Sequence, residues 1–563
     1  MKNRLLLFCC GCFLLVNVAL AQVTSRVTGV VRDPQGALVN GAKVTLSNEA
    51  TGESFTSSTS SGNYGFDAVK PGTYTVRVEA PGFQKFLSTG NVLTVGLPLT
   101  VNVQLLVGTT SEQVVVSGSA QQVETSTSGN IGELFDNTAL NSLPIVTTRG
   151  RNPLSLVELE PGVVDGSGFN QEGLNIQGGG VYVNGARDRA WNYTLDGIDA
   201  NETSAGGGNF SPLHLNPDML SEFRVITSNA TAEYGRNSGA EVVMSSKYGT
   251  NNFHGSGYFY YQTPGFDAND PGNIEANLPR PQFVQKIYGF DVGGPVIKGK
   301  TFFFANFQWL RTVHTTLNSQ PVFTQSARNG LLRFVDQNSP NCVSNGDCTN
   351  TAAGSSGASV DASGNVLPGV NVDTYDVAAN DPFGLGLDPN VQSMVNGSKI
   401  PLPNDFGLGD GLNVAGFDWL AGEHEKQIDY TIRIDHTFNT RHSIFGRWSA
   451  GHQNTFGDTA NLGLPILPGF PNIVDTFRSP KNLAVNWRWL MSPRMLNEFV
   501  VGMSRFWFNF ANPAPNFQSN PAFNFTADPI CAINGLACMS TPLQNYVGNA
   551  RFLTTFQLVD NMS

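Results

Sequence analysis

The sequence predicts a mainly β protein with three folded parts: an N-terminal β-sandwich, an α+β region and part of an antiparallel transmembrane β-barrel. Its 563 residues are 40% hydrophobic but only 14% charged, and they include 61 Gly and 38 Phe. Beyond residue 21, no apolar run approaches the roughly 20 residues of a transmembrane helix. Apolar and polar residues instead alternate over stretches of about 9–11 residues, which is the length of a membrane-crossing strand. An extracellular β-solenoid could share this composition, so the motifs must decide.

Residues 1–21 have the features of a cleaved export signal. A positive start with Lys2 and Arg4 precedes the apolar run Leu5–Leu20. Ala19-Leu20-Ala21 then offers the small residues typical of a cleavage site. A membrane anchor is the alternative, but the run ends short of the roughly 18–20 residues that span a bilayer. The sequence therefore predicts an exported protein.

Residues 22–107 are predicted to form the sandwich, because short alternating strands are separated by turns rich in Pro and Gly. The predicted strands are Val27–Arg32, Lys43–Asn48, Thr73–Glu79 and Thr100–Leu105. The segments Gly29–Gly36, Gly62–Phe66 and Pro71–Tyr74 resemble motifs of the carboxypeptidase-regulatory-like domain. The resemblance implies a seven-stranded sandwich with a transthyretin-like or starch-binding-like fold.

Three aromatic residues of the sandwich, Tyr64, Phe66 and Tyr74, allow two interpretations. They could form a platform on which a sugar ring stacks. They could also fill the core of the sandwich or its turns, because aromatic side chains bury large apolar areas. For three alternating positions, the core is the expectation.

Residues 108–125 are a linker rich in Ser, Thr and Gly that contains one predicted strand. Glu112 precedes a β-branched run of Val114, Val115 and Val116. An acidic residue before such a run resembles the TonB box, a segment that adds as an edge strand to an energy-transducing partner. An ordinary connecting strand is the alternative, because the same pattern occurs in many strands.

Residues 126–250 carry several motifs in a defined order. Leu156–Glu160 predicts a short helix that ends at a Pro-Gly pair. Val181–Gly185 and Tyr193–Asp199 predict two strands, one with an Asn-Gly turn and one with an Asp-Gly turn. Asp196 and Asp199 could form a pair in a calcium or catalytic site. The additional oxygen ligands of a calcium loop are not found at the required spacing, which favours a turn.

Residues 251–563 are predicted to be barrel strands joined by long loops. Ile428–Phe438 is the clearest strand, with Ile, Tyr and Phe on one face and Asp, Thr and Arg on the other. Tyr288–Val292 and Phe302–Trp309 predict a hairpin whose turn carries Lys-Gly-Lys. The intervening residues 312–425 are rich in Asn, Gly, Ser and Asp, which is typical of long extracellular loops.

The seven cysteines divide into two groups. Three lie in the predicted signal, and the rest of the chain has two close pairs, Cys342/Cys348 and Cys531/Cys538. Close pairs in Asn-, Gly- and Pro-containing sequence of an exported chain predict disulfides that staple loop tips. A zinc site is the alternative, but the pairs are far apart in sequence and no histidine lies near either.

The stretch 220–262 gives the most specific resemblance to a known family. Glu241–Ser246 forms a predicted strand after a Gly-containing turn, and it leads into the aromatic strand Phe253–Tyr261. This order resembles the end of the plug and the first barrel strand of TonB-dependent outer-membrane receptors, particularly their Oar-like branch. Residues 126–250 would then be a plug that fills the barrel of residues 251–563.

The resemblance implies a function and a set of partners. Loops would capture an extracellular ligand, such as a carbohydrate or a peptide, and the plug would rearrange to admit it. A TonB-type protein pulling near Glu112–Val116 would supply the energy, and the lipid of a Gram-negative-type outer membrane would surround the barrel. The alternative is a surface adhesion or carbohydrate-binding protein that the barrel merely anchors.

The number of predicted strands implies an incomplete barrel. About eight strands can be placed after residue 252, whereas plugged transporters use about 22. The final residues, Val559–Ser563, also lack the terminal aromatic residue expected of a finished outer-membrane strand. The expectation is a partial barrel.

Charge and motif content exclude other classes of function. The formal net charge of −11 and the scarcity of Lys/Arg clusters argue against nucleic-acid binding. The seven histidines show no His-Glu-x-x-His spacing, and neither a Gly-x-Ser-x-Gly elbow nor a phosphate loop is present. The sequence therefore predicts neither an enzyme nor a cofactor.

Overall fold

The computed structural model describes most of the chain outside the expected export signal at residues 1–21. The described residues are 25–108, 113–117, 130–143, 146–147, 150–165, 181–187, 190–201, 213–231, 234–235, 238–266, 268–269, 280, 282–336, 353–354, 358–397, 400–492, 495–513, 530–533, 537–539 and 548–562. None of the described helices is both long and apolar enough to cross a membrane.

The first folded unit is a two-sheet sandwich. Its strands are β1 (Ser25–Arg32), β2 (Lys43–Asn48), β3 (Ser54–Ser58), β4 (Asn63–Val69), β5 (Gly72–Glu79), β6 (Lys85–Leu93), β7 (Leu99–Thr100), β8 (Val103–Gln104) and β9 (Gln113–Ser117). One sheet has the order β4-β1-β7, with β8 also on β1, and the other has the order β3-β2-β5-β6-β9. The predicted strand Thr100–Leu105 is therefore two short pieces, both parallel to β1.

Alternating apolar residues of the two sheets fill the sandwich core. Leu46 and Val76 are fully buried, and Tyr64, Phe66 and Tyr74 are buried with them. The Tyr64 hydroxyl donates to the Val101 carbonyl at 2.6 Å, and the Tyr74 hydroxyl donates to the Lys70 carbonyl at 2.9 Å. The prediction that the three aromatic residues belong to the core is thus confirmed, and their polar tips are satisfied inside the domain.

The plug region (described residues between 130 and 250) follows the sandwich. It contains β10 (Leu134–Asp136), α1 (Asn137–Ser142), β11 (Val146–Thr147), β12 (Gly150–Arg151), β13 (Val163–Asp165), β14 (Val181–Val183), β15 (Asn192–Leu195), β16 (Ile198–Asp199), β17 (Leu220–Ile226) and β18 (Glu241–Ser246). Its main sheet has the order β10-β17-β18-β15-β16. Short 3₁₀ helices at Pro153–Leu159 and Pro217–Met219 cover it, so the helix predicted at Leu156–Glu160 begins earlier and is tighter.

The turns predicted in the plug region have the expected backbone. Asp196 and Gly197 have φ values of 49° and 76°, and the turn joins β15 to β16 as a hairpin. Asn184 and Gly185 adopt the same conformation, with φ values of 49° and 74°. Two successive positive φ values define the hairpin turn that Asn-Gly and Asp-Gly favour.

The rest of the chain is dominated by one long antiparallel sheet, the wall sheet. The remaining elements are β19 (His254–Gln262), β20 (Phe283–Ile297), β21 (Thr301–Phe323), α2 (Gln325–Arg328), β22 (Leu331–Val335), β23 (Val372–Asp376), α3 (Pro389–Val395), β24 (Asp405–Gly409), β25 (Val414–Asn439), β26 (His442–Phe456), β27 (Asp475–Ser492), β28 (Met495–Ala511), β29 (Ile530–Ile533), β30 (Ala537–Met539) and β31 (Asn549–Met562). The wall sheet has the order β19-β20-β21-β25-β26-β27-β28-β31, and β24 also pairs with β25.

The two ends of the wall sheet differ in their connections. At one end, the short-turn end, residues 298–300 and 440–441 join neighbouring strands. At the other, the long-loop end, residues 324–413 join β21 to β25, and long connections also follow β26 and β28. The loop predicted at 312–425 is thus too long: β21 and β25 stay paired from Thr312↔Glu425 to Phe323↔Val414. The sequence did not predict this pairing, because the two strands are joined by the long connection 324–413 and no hairpin turn marks them.

One face of the wall sheet is apolar and exposed, and the other is polar and buried. On β25, Ile428, Ile432 and Ile434 are 44%, 40% and 52% exposed. The alternate residues Thr431 and Arg433 are buried against the plug region, at 2% and 4% exposure. This confirms the apolar-out, polar-in pattern predicted for the strand, which is the pattern of a barrel wall facing lipid.

Candidate functional site

The linker strand predicted to resemble a TonB box is an edge strand of the sandwich. In β9, Val114, Val115 and Val116 pair in parallel with Phe86, Leu87 and Ser88 of β6. Val116 packs against the sandwich core, whereas Val115 is 61% exposed. The strand itself is confirmed. Glu112 lies outside the described residues, and the role of the segment remains a prediction.

The sandwich is attached to the short-turn end of the wall sheet. The Lys70 ammonium donates to Asp435 Oδ1 at 2.9 Å, and the Tyr248 hydroxyl donates to the Pro71 carbonyl at 3.0 Å. The Asn251 amide also donates to the Ala50 carbonyl at 3.0 Å. The sandwich, the end of the plug region and the wall therefore meet at one junction.

A cavity lies at this junction. Its empty volume of about 490 Å³ is partly open to solvent, and all three parts of the protein line it. Its charged and aromatic lining residues include Lys70, Asp196, Tyr248, Arg433, Phe445 and Arg488. Charged side chains of both signs and aromatic rings therefore meet around the cavity.

A second contact joins the sandwich to the middle of the plug sheet. The amide of Val95 donates to Glu222 Oε2 at 2.7 Å, and Arg224 Nη1 donates to the Val95 carbonyl at 3.2 Å. Gly96 has a φ of +64°, and a Cβ there would approach the Arg224 guanidinium to 2.8 Å. Burial at this contact raises the pKa of Glu222 to about 7.

A buried ion network joins the plug region to the wall. Arg447 Nε donates to Asp196 Oδ2 at 2.5 Å, and neither side chain is exposed. Arg433 Nη1 lies 3.5 Å from Asp196 Oδ1, and its Nε and Nη2 also donate to Asp435 at 2.8 and 3.0 Å. Ser246 completes the shell, because its hydroxyl and amide donate to Asp196 at 2.7 and 3.0 Å.

The sequence predicts the turn at Asp196 but not its ion pairs. The turn is confirmed, and it holds the carboxylate where two arginines of the wall reach it. Arg433 and Arg447 lie more than 230 residues away in the chain, so no local pattern connects them with Asp196. The available signal was the charge on the inward face of the predicted strand Ile428–Phe438.

Further polar contacts hold the plug region along the wall. His214 Nδ1 lies 2.9 Å from Asp429 Oδ1, and Asn216 Nδ2 donates to the Tyr258 hydroxyl at 2.9 Å. One apolar contact accompanies them, where Ile198 packs in a small cluster of wall residues. Hydrogen bonds and ion pairs thus dominate the described contacts between the plug region and the wall.

Comparisons with known proteins agree with this geometry. The family model described as "Outer membrane beta barrel domain" matches residues 245–563, more than half of the chain. The chain belongs to the outer membrane β-barrel family. The model "TonB-dependent Receptor Plug Domain" matches residues 109–240, and "Carboxypeptidase regulatory-like domain" matches residues 26–106. These matches assign the protein to the outer membrane of a Gram-negative cell.

A curated relative and two solved structures are similar to this outer-membrane protein. The TonB-dependent transporter Oar of Myxococcus xanthus is 28% identical over 319 residues, which are 54% of this chain and 28% of the relative. The siderophore receptor PirA of Acinetobacter baumannii is 14% identical, with a TM-score of 0.39 over 76% of this chain and 44% of that one. A mutant of the ferric enterobactin receptor PfeA of Pseudomonas aeruginosa is 12% identical, with a TM-score of 0.36 over 69% and 42%.

The wall sheet can now be oriented in the outer membrane. Outer-membrane barrels have short periplasmic turns and longer extracellular loops. The short-turn end, with the sandwich, the cavity and β9, therefore faces the periplasm. The chain spans less than a third of the curated relative's length, so the activity of the whole protein is a matter for proposal.

The extracellular end of this outer-membrane protein has its own packed core. Phe323, Ile400 and Phe470 belong to an apolar cluster that joins the end of β21 to two connections, 324–413 and 457–474. Arg328 is buried beside them, and its guanidinium donates to the carbonyls of Phe323, Val395, Ile400 and Pro401. A ligand-facing surface in this region would rest on ordered structure rather than on isolated loops.

The predicted disulfides remain predictions. Cys342 and Cys348 lie outside the described residues. Cys531 and Cys538 are on β29 and β30, and the antiparallel register places them directly opposite each other. Opposed residues on neighbouring antiparallel strands have the backbone spacing that a disulfide needs.

Proposed function

We propose that this chain acts as a TonB-dependent outer-membrane receptor, which captures a large substrate outside the cell and admits it when a TonB-type protein rearranges the plug. The observation that carries the proposal is the polar attachment of the plug region to the wall. Asp196 meets Arg433 and Arg447 inside the barrel. Water can replace such contacts when the plug moves, whereas an apolar core would resist separation.

The position of β9 supports energy coupling from the periplasm. The strand lies on the sandwich, which is attached at the periplasmic end, and Val115 is exposed on it. An exposed edge strand is the element to which a partner strand adds through main-chain hydrogen bonds. We therefore assign the segment Gln113–Ser117 as the contact for the TonB-type protein.

The alternative of a surface carbohydrate-binding protein finds less support. Tyr64, Phe66 and Tyr74 prompted it, and all three are buried in the sandwich. They offer no platform on which a sugar could stack. We propose no catalytic activity, and we leave the substrate at the class of a large extracellular ligand, a carbohydrate or a peptide.

Binding of a TonB-type periplasmic domain to the purified full chain tests the proposal. Val115→Pro removes a backbone donor from β9, and we expect at least about a tenfold loss of affinity. Thr56→Pro is the matched control, because Thr56 lies on β3, the opposite edge strand of the same sheet. Equal affinities of the two variants, or no binding by the wild-type chain, would contradict the proposed coupling.

A further inference from the structure

The segment assigned to partner binding is also a structural part of the sandwich. All five residues of β9 are in parallel register with β6, from Lys85↔Gln113 to Thr89↔Ser117. The inward packing of Val116 adds an apolar contact to these main-chain pairs. A segment that only connects two domains needs neither the pairing with β6 nor the packing of Val116. We therefore ask what the pairing of β9 with β6 does.

The outer edge of β9 is the edge at which a partner strand can add. β9 ends the sheet order β3-β2-β5-β6-β9, and no further strand pairs with it among the described residues. Strand addition needs one unpaired edge only, so β9 need not leave β6 to accept a partner. A strand already held in extended form also loses less conformational entropy on binding.

Strand β6 leads directly from β9 to the plug region. It ends at Leu93, and two residues later Val95 is hydrogen bonded to Glu222 and Arg224 of β17. β17 pairs with β18, whose last residue, Ser246, donates to Asp196. One continuous series of hydrogen bonds therefore runs from the partner-binding edge to the ion network that holds the plug.

The geometry points to a specific route for the applied force. We propose that the sandwich keeps β9 as its edge strand while the TonB-type protein binds the outer edge, and that β6 transmits the pull through Val95 to plug strand β17. This inference rests on the proposed function. It makes the sandwich the mechanical link between the partner and the plug, in place of residues 118–129 of the connecting chain.

A disulfide across β6 and β9 tests whether the strand stays in place. Leu87 and Val115 are directly opposite, so Leu87→Cys with Val115→Cys can lock the pair, in a full chain whose four native cysteines after the signal are serine. The probe is the periplasmic domain of a TonB-type protein, and its affinity is measured before and after reduction. Thr45→Cys with Thr56→Cys, opposed on β2 and β3, is the matched disulfide control.

Each outcome of this measurement supports or overturns either the inference or the proposed function. We expect the oxidised and reduced forms to bind within about twofold of each other. Binding that is tenfold or more weaker when oxidised, and restored by reduction, would mean that β9 must leave the sandwich and would overturn the inference. Failure of the disulfide to form would overturn it as well, because β9 would not lie on β6 in solution. If neither form nor the wild-type chain binds, the proposed function itself fails.

Pulling on the bound partner in an optical trap tests the route to the plug. In the wild-type chain, the plug should leave the wall without a preceding step in which the connecting chain is extended. Glu222→Ala combined with Arg224→Ala removes both side chains that bind Val95, so the 12 residues 118–129 must carry the pull, and a preceding step of up to about 40 Å is expected before the plug moves. The same step in both chains would overturn the route, even where the disulfide result supports retention of β9.

Discussion

The sandwich and the wall sheet use the same alternation of side chains in opposite senses. In the sandwich, Leu46 and Val76 point into a fully buried apolar core. In the wall, Ile428 and Ile434 point outward, while Thr431 and Arg433 are buried against the plug region. Two-residue periodicity thus fixes which residues share a face, and the surrounding solvent decides which face is turned inside.

The two regions also differ in the kind of contact that holds them together. The sandwich core is apolar, so its two sheets separate only on unfolding. The plug region meets the wall mainly through ions and hydrogen bonds, which water can replace. The protein therefore joins a sandwich with an apolar core to a plug region that polar contacts hold against the wall. Four predictions test this comparison.

Asp196→Asn should have the largest effect, because it removes the charge that pairs with Arg433 and Arg447 and leaves Arg447 buried without its counterion. Asn tolerates the positive φ of the turn, so the backbone stays as it is. We expect a loss of about 3–5 kcal/mol of stability, measured by denaturant unfolding in detergent and followed by tryptophan fluorescence. Asp199→Asn, in the same hairpin, is the control. Equal stability of the two variants would contradict the assigned role of the network.

The next largest effect should come from shortening one apolar side chain in each region and comparing the losses of stability. Leu46→Ala opens a cavity in the sandwich and should cost about 3 kcal/mol. Ile434→Ala shortens an outward side chain that is 52% exposed and should cost less than about 1 kcal/mol, because lipid or detergent fills the space. Comparable losses at both sites, in thermal or denaturant unfolding, would show that the outward face of β25 is buried in protein.

The contact between the sandwich and the plug should weaken as the pH rises. The docked pKa of Glu222 is about 7 and its ordinary value is 4.5, so the contact is strongest below 4.5 and loses its stabilisation as the pH rises through 7. The full difference corresponds to at most about 3 kcal/mol, because burial within the plug region itself also raises this pKa. Asp136 opposite and Arg224 on the same strand are the charged neighbours. Spin-label distances between sandwich and wall should report more undocking at pH 8 than at pH 5.

Glu222→Gln is the matched variant for this pH dependence. Its amide oxygen can still accept from Val95, but it does not titrate. The undocked fraction should therefore be the same at pH 5 and pH 8. A pH dependence that persists in the variant would assign the effect to another group.

Lys70→Ala should have the smallest effect, because its partner Asp435 is also paired with Arg433. The Lys70 side chain is 22% exposed, and we expect the sandwich to dock less tightly by about 1 kcal/mol. Lys85→Ala is the control: its contact with Glu79 is 3.6 Å long and exposed, so it should change docking very little. A larger loss of docking in Lys85→Ala than in Lys70→Ala would contradict the assigned role of Lys70 at the junction.

The sequence predicted the parts whose signals are local. The alternation in Ile428–Phe438 marked a strand and its two faces, and the Asp-Gly pair at residue 196 marked its turn. The strands β3 and β6 were not recognised, because Ser, Thr and Gly make up much of them. Their place in the sheet comes from pairing with β2 and β5 rather than from their own propensity.

The missed parts of the site are non-local. The parallel pairing of β9 with β6 joins segments that no hairpin connects, so it leaves no turn signal in the sequence. Asp196, Arg433 and Arg447 become one network only after the plug region lies inside the wall. The lengths of β21 and β25 were underestimated because the two strands pair across the long connection 324–413, which leaves no turn signal in the sequence. Each of these features depends on tertiary contacts.

The most direct test of the account is the accessibility of β25 in a lipid bilayer. Single spin labels at residues 428–435 are exposed in turn to oxygen, which dissolves in lipid, and to a water-soluble nickel complex. We expect oxygen to reach the labels at residues 428, 430, 432 and 434, and we expect both reagents to be excluded from the labels at residues 429, 431, 433 and 435. Nickel access at the isoleucine positions, or equal access at all eight, would contradict a wall that faces lipid outside and the plug inside.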